Sequence, residues 1–261
     1  MEKSSVVNVG GNLESAIQGQ YQIDIASVLK EAWQKTQQGR SAINGGLALI
    51  FVLAMVASYW VSSYFGGIEQ AIKTPQSLLF IQVIVSLIIW PFLAGIEMMG
   101  VFHSVGVKTH SKLIFSFLKR SSWVVLCSLL TFVLVSVGLQ LLVLPGVFLS
   151  VIFSLTIPLV IEKKLSPIKA MVISVQALRF QWFKLLTLYV ILSIILALTL
   201  IPLFAFQQAN LAFIGVVVFV FCLSYLAPMF YNVKGILYRE IFGLTVQAND
   251  NISSNNDVFI A

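Results

Sequence analysis

Few side chains in this sequence have the type and setting that chemistry needs. Glu97 is the ionisable residue within an apolar run, about 20 positions from its start and near its cytoplasmic end, within reach of water or a lysine; a charge in such a run is costly and so tends to be functional. His103 and His110 follow it at spacings of six and seven residues. An α-helix repeats every 3.6 residues, so these spacings put no tight metal-ligating pair on one face. Cys127 and Cys222 both lie in apolar stretches without a partner at zinc spacing and read as small core residues. The sequence contains no HExxH, no GxSxG and no GxxxxGK, and no aspartate in an apolar run to serve an intramembrane protease. The expectation is a non-enzyme with no catalytic residue, no metal site and no cofactor.

The elements that carry these residues are apolar. Of 261 residues 59% are apolar and 10% charged, against about 45–50% and about 25% in ordinary globular chains. A membrane-spanning helix uses about 20 apolar residues, so the composition supplies about six. The runs fall at 42–65, 78–101, 122–144, 147–161, 183–206 and 211–233. They predict an all-α, polytopic transmembrane bundle over 23–246. Gln82, Gln140 and several serines within the runs read as interhelical hydrogen-bonding groups, and Ala42, Gly46, Ala54 and Ser58 as a close-packing stripe. The polar ends, 1–22 and 247–261, are expected to be disordered tails, the first without the apolar core of a signal peptide.

Charge orients the runs. Lys and Arg number 16 against 10 acidic residues, and 15 of the 16 precede the first run, follow the last, or lie in the second-to-third and fourth-to-fifth connections. Lys73 alone falls on the other side. The positive-inside rule then places both termini in the cytoplasm. The fourth run is the weakest: 15 residues make about 23 Å of helix, short of a roughly 30 Å hydrocarbon core. It contains Pro158 and follows a turn at Leu144-Pro145-Gly146. Six crossings, or four plus a re-entrant hairpin, give the same charge count. Pro91, Pro158, Pro202 and Pro228 mark expected kinks, since proline deletes a helical hydrogen bond.

Three stretches before spans are amphipathic, at 24–38, 111–120 and 166–181. In the first, Ile25, Val28, Leu29, Ala32 and Trp33 recur at helical spacing opposite Lys30, Glu31, Gln34 and Lys35, with Asp24 as cap. In the last, Ser166-Pro167 opens a helix with Ile168, Met171, Val172 and Val175 on one side. Such helices are expected to lie in the headgroup plane.

From Leu142-Val143-Leu144-Pro145-Gly146-Val147-Phe148-Leu149 through Pro158, Glu162, Leu165-Ser166-Pro167 and Ala170, the sequence resembles the YciC-like bacterial inner-membrane proteins. It is also similar there to the membrane domain attached to some glycerophosphodiester phosphodiesterases. The similarity is convincing over about 143–186 and topological elsewhere. It implies a polytopic inner-membrane protein of a family without an established reaction, and no phosphodiesterase domain is present.

No basic run is polar enough to lie along a nucleic-acid backbone, so the positive charge points to anionic lipid. The headgroup candidates are Lys108, Lys112, Lys119, Arg120, Lys163, Lys164, Lys169, Arg179 and Lys184. The function expected is binding of anionic lipid, or organisation of partners, at the cytoplasmic face, in support of envelope homeostasis. A second copy of the chain and another membrane protein both stay open as partners. The alternative is a transporter or flippase for a lipid-like substrate, using the proline-bearing helices.

Overall fold

The computed structural model describes residues 5–208 and 211–248. It is an all-α bundle with a two-stranded sheet at one end. In chain order the elements are β1 (Ser5–Val9), α1 (Leu13–Ile17), α2 (Ile25–Ser63), α3 (Ile68–Lys73) and α4 (Pro75–Ser104). After a connection come α5 (Ser121–Leu141), α6 (Val143–Ile152), α7 (Thr156–Ile161), α8 (Pro167–Leu178), α9 (Trp182–Gln208), α10 (Ala212–Phe242) and β2 (Leu244–Ala248). Six segments are long and apolar enough to cross a membrane, α6 and α7 together forming one. The chain is a multi-pass membrane protein.

The first amphipathic stretch does not lie apart from its span. The sequence from 24 to 63 contains no proline, and an interior glycine costs only about 1 kcal/mol. Residues 25–63 therefore form one helix of 39 residues, about 58 Å long. Asp24 caps it, its carboxylate accepting from the amides of Ala26 and Ser27 at 3.2 and 3.3 Å. The middle stretch is not a helix but two short 3-10 turns, Ser111–Phe115 and Leu118–Arg120. Packing explains this: the Ile114 backbone occupies the space a side chain at Gly95 would fill, and the Ser111 hydroxyl donates to the Ala42 carbonyl at 3.1 Å. The third stretch is α8, but it buries Ala170, Met171, Ile173 and Ala177 against the protein rather than lying free in a headgroup plane.

The expected turn at Leu144-Pro145-Gly146 lies a few residues after the real one. The chain reverses at Leu142, and Pro145 sits in the first turn of α6, where its missing N–H has no partner to lose. Gly146 packs instead, against Gly138 of α5, where a Cβ on either would press on the facing helix. The returning segment is thereby longer than its apolar run suggested, 19 residues over Val143–Ile161, or about 28 Å. It breaks into 3-10 geometry at Phe153–Leu155, just before Pro158. That proline cannot donate to the Ser154 carbonyl four residues back.

Pro91, Pro202 and Pro228 lie inside continuous helices. At Pro228 another helix supplies the missing donor: Asn44 Nδ2 of α2 donates to the Ser224 carbonyl at 2.8 Å. α4 and α10 meet closely through Gly100 and Gly235, where a Cβ on either would strike the other's backbone.

The terminal segments correct the tail expectation in part. β1 pairs antiparallel with β2, from Ser5 opposite Ala248 to Val9 opposite Leu244, and α1 packs beside α8. Tyr21 donates to the Ala177 carbonyl at 2.8 Å, and burial pushes its phenol up to about 12, so it remains a donor across the physiological range. Local patterning cannot reveal strand pairing between segments this far apart in sequence. The tail expectations at 1–4 and 249–261 lie outside the described residues.

Buried side chains concentrate at the end that carries the sheet, hereafter the basic end. α4 buries Ala94 through Ser104, α10 buries Asn232 through Tyr238, and α9 buries Leu185, Leu188 and Leu192. Toward the other end Phe51, Phe80 and Phe213 are exposed, the outward-facing apolar surface that lipid covers.

Candidate functional site

At the basic end α2, the last turn of α4 and the loop after it enclose an open cleft of about 360 Å³. Lys35, Gln38, Gly39 and Ala42 enter it from one face of α2, at positions i, i+3, i+4 and i+7. His103 lies at its wall, and Lys108, Thr109 and His110 close it from the loop. The loop takes its course from Gly106, whose φ of +82° ends α4. The Val107 amide returns to the Phe102 carbonyl at 3.1 Å and the Gly106 amide to that of His103 at 3.0 Å, a Schellman closure. Gly39 is required where it stands, because a Cβ there would come within 2.9 Å of the His103 ring. No carboxylate lines the cleft among the described residues.

Behind the wall runs a buried chain of hydrogen bonds. Asn232 Nδ2 of α10 donates to Thr36 Oγ1 of α2 at 3.0 Å. Its Oδ1 then faces His103 Nδ1 at 3.0 Å, which assigns the ring proton to Nδ1. His103 Nε2, left as an acceptor, takes the Thr109 hydroxyl proton across 2.8 Å. Three elements and the loop are thus connected from the protein interior to the cleft.

Deeper in the bundle Glu97 meets Lys234, Oε1 to Nζ at 2.5 Å, with side chains only 11% and 9% exposed. Its other oxygen, and the hydroxyls of Ser128, Ser154 and Tyr189, are buried without a hydrogen-bond partner among the described residues. Arg239 joins the helix ends: it grips Glu31 of α2 with two bonds of 2.7 and 2.8 Å. It also donates to the Ser104 carbonyl at the end of α4, where a cation is favoured by the helix dipole. Glu162, which ends α7, accepts from Tyr238 at 2.8 Å.

The nine basic residues singled out from the sequence do not form one site. Lys108 lines the cleft. Arg120 donates to the Val160 carbonyl at 3.0 Å and so caps α7, and Lys163 pairs with Glu162 at 3.2 Å. Lys164 takes a left-handed backbone, φ +53°, in the α7–α8 turn. Lys112, Lys119, Lys169, Arg179 and Lys184 are exposed and dispersed, Arg179 lying over the Phe180 ring at 4.8 Å. Lys35 and the two histidines were missing from that set although they frame the cleft with Lys108. Lys35, Gln38 and Ala42 at helical spacing were the available signal; their convergence with a loop some 70 residues later was not. Lys234, assigned by its charge to the segment after the last run, belongs to the buried interior, because α10 runs on to Phe242. The chain matches no protein-family model, no curated protein and no solved structure.

Proposed function

We propose that this is a non-enzymatic, multi-pass protein of the bacterial inner membrane whose basic cleft holds the phosphate of an anionic lipid headgroup at the cytoplasmic face. The observation that carries the reading is the lining: Lys35 and Lys108 flank the cleft, two histidines and a threonine supply further polar atoms, and no carboxylate among the described residues opposes an anion. Fifteen of sixteen basic residues fall in the segments gathered at this end, which supports a cytoplasmic orientation for it and for both termini. Near a membrane surface each such cation attracts anionic lipid by about 1 kcal/mol. The resemblance of about 143–186 to YciC-like proteins is consistent with the same compartment. In this role the protein retains lipid, or presents it to a partner, in envelope homeostasis.

The test is binding in nanodiscs. Wild-type protein should enrich phosphatidylglycerol over phosphatidylcholine around itself, and Lys35→Ala with Lys108→Ala should abolish the enrichment while Lys169→Ala with Lys184→Ala should not. Equal enrichment in all three would refute the cleft as the site.

A transporter or flippase for a lipid-like substrate is the second reading. The unpartnered Glu97 oxygen and buried hydroxyls beside a broken segment favour it, since membrane-depth sites form at discontinuous helices. Movement of labelled lipid across reconstituted vesicles above the protein-free rate would select it; headgroup binding without movement selects the first.

A further inference from the structure

The hydrogen bonds at the cleft wall have a direction, and the direction is wrong for an anion. With the His103 proton on Nδ1, the Thr109 hydroxyl hydrogen is committed to Nε2. Thr109 then turns only lone pairs toward the cleft, and Nε2 has no proton to give. An anionic oxygen entering beside them meets acceptors. One proton reverses this arrangement. A protonated His103 donates from both ring nitrogens, from Nδ1 to Asn232 as before and from Nε2 to Thr109 Oγ1, which frees the Thr109 O–H to donate into the cleft.

The geometry points to a cleft that takes a phosphate ester together with one proton, the proton resting on His103 and the Thr109 hydroxyl reporting it to the anion. This rests on the headgroup reading above and adds its regulation.

The surrounding charges make the two events depend on each other. Lys35 faces His103 from α2, Lys108 and His110 face it from the loop, and Arg239 of α10 binds the carbonyl of the neighbouring Ser104. Glu31 and Glu240 hold Arg239, and the α10 residue touching the ring, Asn232, is neutral. Glu97, on the same helix, is committed to Lys234. No carboxylate bonds to the ring among the described residues, so an added proton joins a cationic neighbourhood until an anion supplies the opposite charge. By linkage, the anion promotes protonation by the same factor as protonation promotes anion binding. Moving the proton leaves both heavy-atom distances in place, so the change needs no helix to move.

The experiment uses the whole protein in phosphatidylcholine nanodiscs and short-chain phosphatidylglycerol as probe. A diester keeps one charge over the range examined, whereas a monoester titrates near pH 6. Wild type should bind about tenfold more tightly at pH 6 than at pH 8, and calorimetry in buffers of different ionisation enthalpy should show proton uptake. His103→Gln and, should that variant not fold, Thr109→Val should flatten the pH dependence and remove the proton uptake; Lys169→Ala, which lies outside the cleft, should keep both. The deacylated headgroup, run in parallel, separates the sources: weak binding without chains keeps the lipid, and equal binding assigns the same proton-linked site to a soluble phosphate ester. A wild-type affinity independent of pH, or a dependence that survives in Thr109→Val and disappears in His110→Gln, would overturn the linkage and leave the headgroup reading standing. Absence of binding at both pH values would overturn both.

Discussion

Replacing Glu97 by Gln would leave the Lys234 ammonium, 9% exposed, without its carboxylate. Breaking a buried pair from one side costs about 3–5 kcal/mol, because the remaining charge has lost water as well as its partner. Glu97→Gln should therefore unfold at markedly lower temperature in detergent, followed by tryptophan fluorescence. Glu97→Met with Lys234→Met should recover most of the loss; single variants as heat-stable as wild type would contradict a buried pair. Asn44 supplies the donor that Pro228 lacks toward the Ser224 carbonyl. Alanine there should cost about 1 kcal/mol by leaving the Ser224 carbonyl unpaired, and less when Pro228→Ala restores a backbone donor. Equal costs in the two backgrounds, measured as a double-mutant cycle, would show that Asn44 does not substitute for the proline's missing N–H. Glu97 was legible as an ionisable residue in an apolar run, and so was the backbone donor missing at Pro228. Their partners were not, because Lys234 and Asn44 lie on other helices and nothing local to either pair of positions links them.

Elements show the same division between local and non-local information. The Asp24 cap and the Ser166-Pro167 helix start are visible in adjacent residues, and both begin helices. The middle amphipathic stretch misleads because its helical spacing is overridden by the room that Gly45 and Gly95 leave for Ser111 and Ile114. α5 has 21 residues, about 32 Å, enough to reach the far interface of a roughly 30 Å core. Its tip, Leu141 through Leu144, is exposed and wholly apolar. With Cys127 and Cys222 replaced by alanine, a cysteine at Leu144 should react with a membrane-impermeant maleimide added from the face opposite the termini, as should one at Gly67. Labelling at Gly67 but not at Leu144 would mean that the hairpin turns back within the bilayer.

Across the whole molecule the packing is graded. Helices are close at the basic end, where polar networks lie among buried side chains, and present apolar surface to lipid toward the other. The number of long apolar segments and the one-sided distribution of charge were both legible, since each is a sum over the sequence that needs no contact to be known. The cleft was not, because it forms only where α2, α4 and a loop converge, and a basic residue counts equally toward charge asymmetry whether it caps a helix, pairs with Glu162 or faces a phosphate. What distinguishes Lys35 and Lys108 is their placement in one opening, from α2 and from the loop, that no acid lines among the described residues.

That placement is tested most directly by native mass spectrometry of the gently extracted protein. The wild type should retain anionic lipid at defined stoichiometry, and Lys35→Ala with Lys108→Ala should release it without changing the subunit count. A wild-type particle that carries no anionic lipid, or a double variant that retains as much of it, would contradict headgroup binding in the cleft.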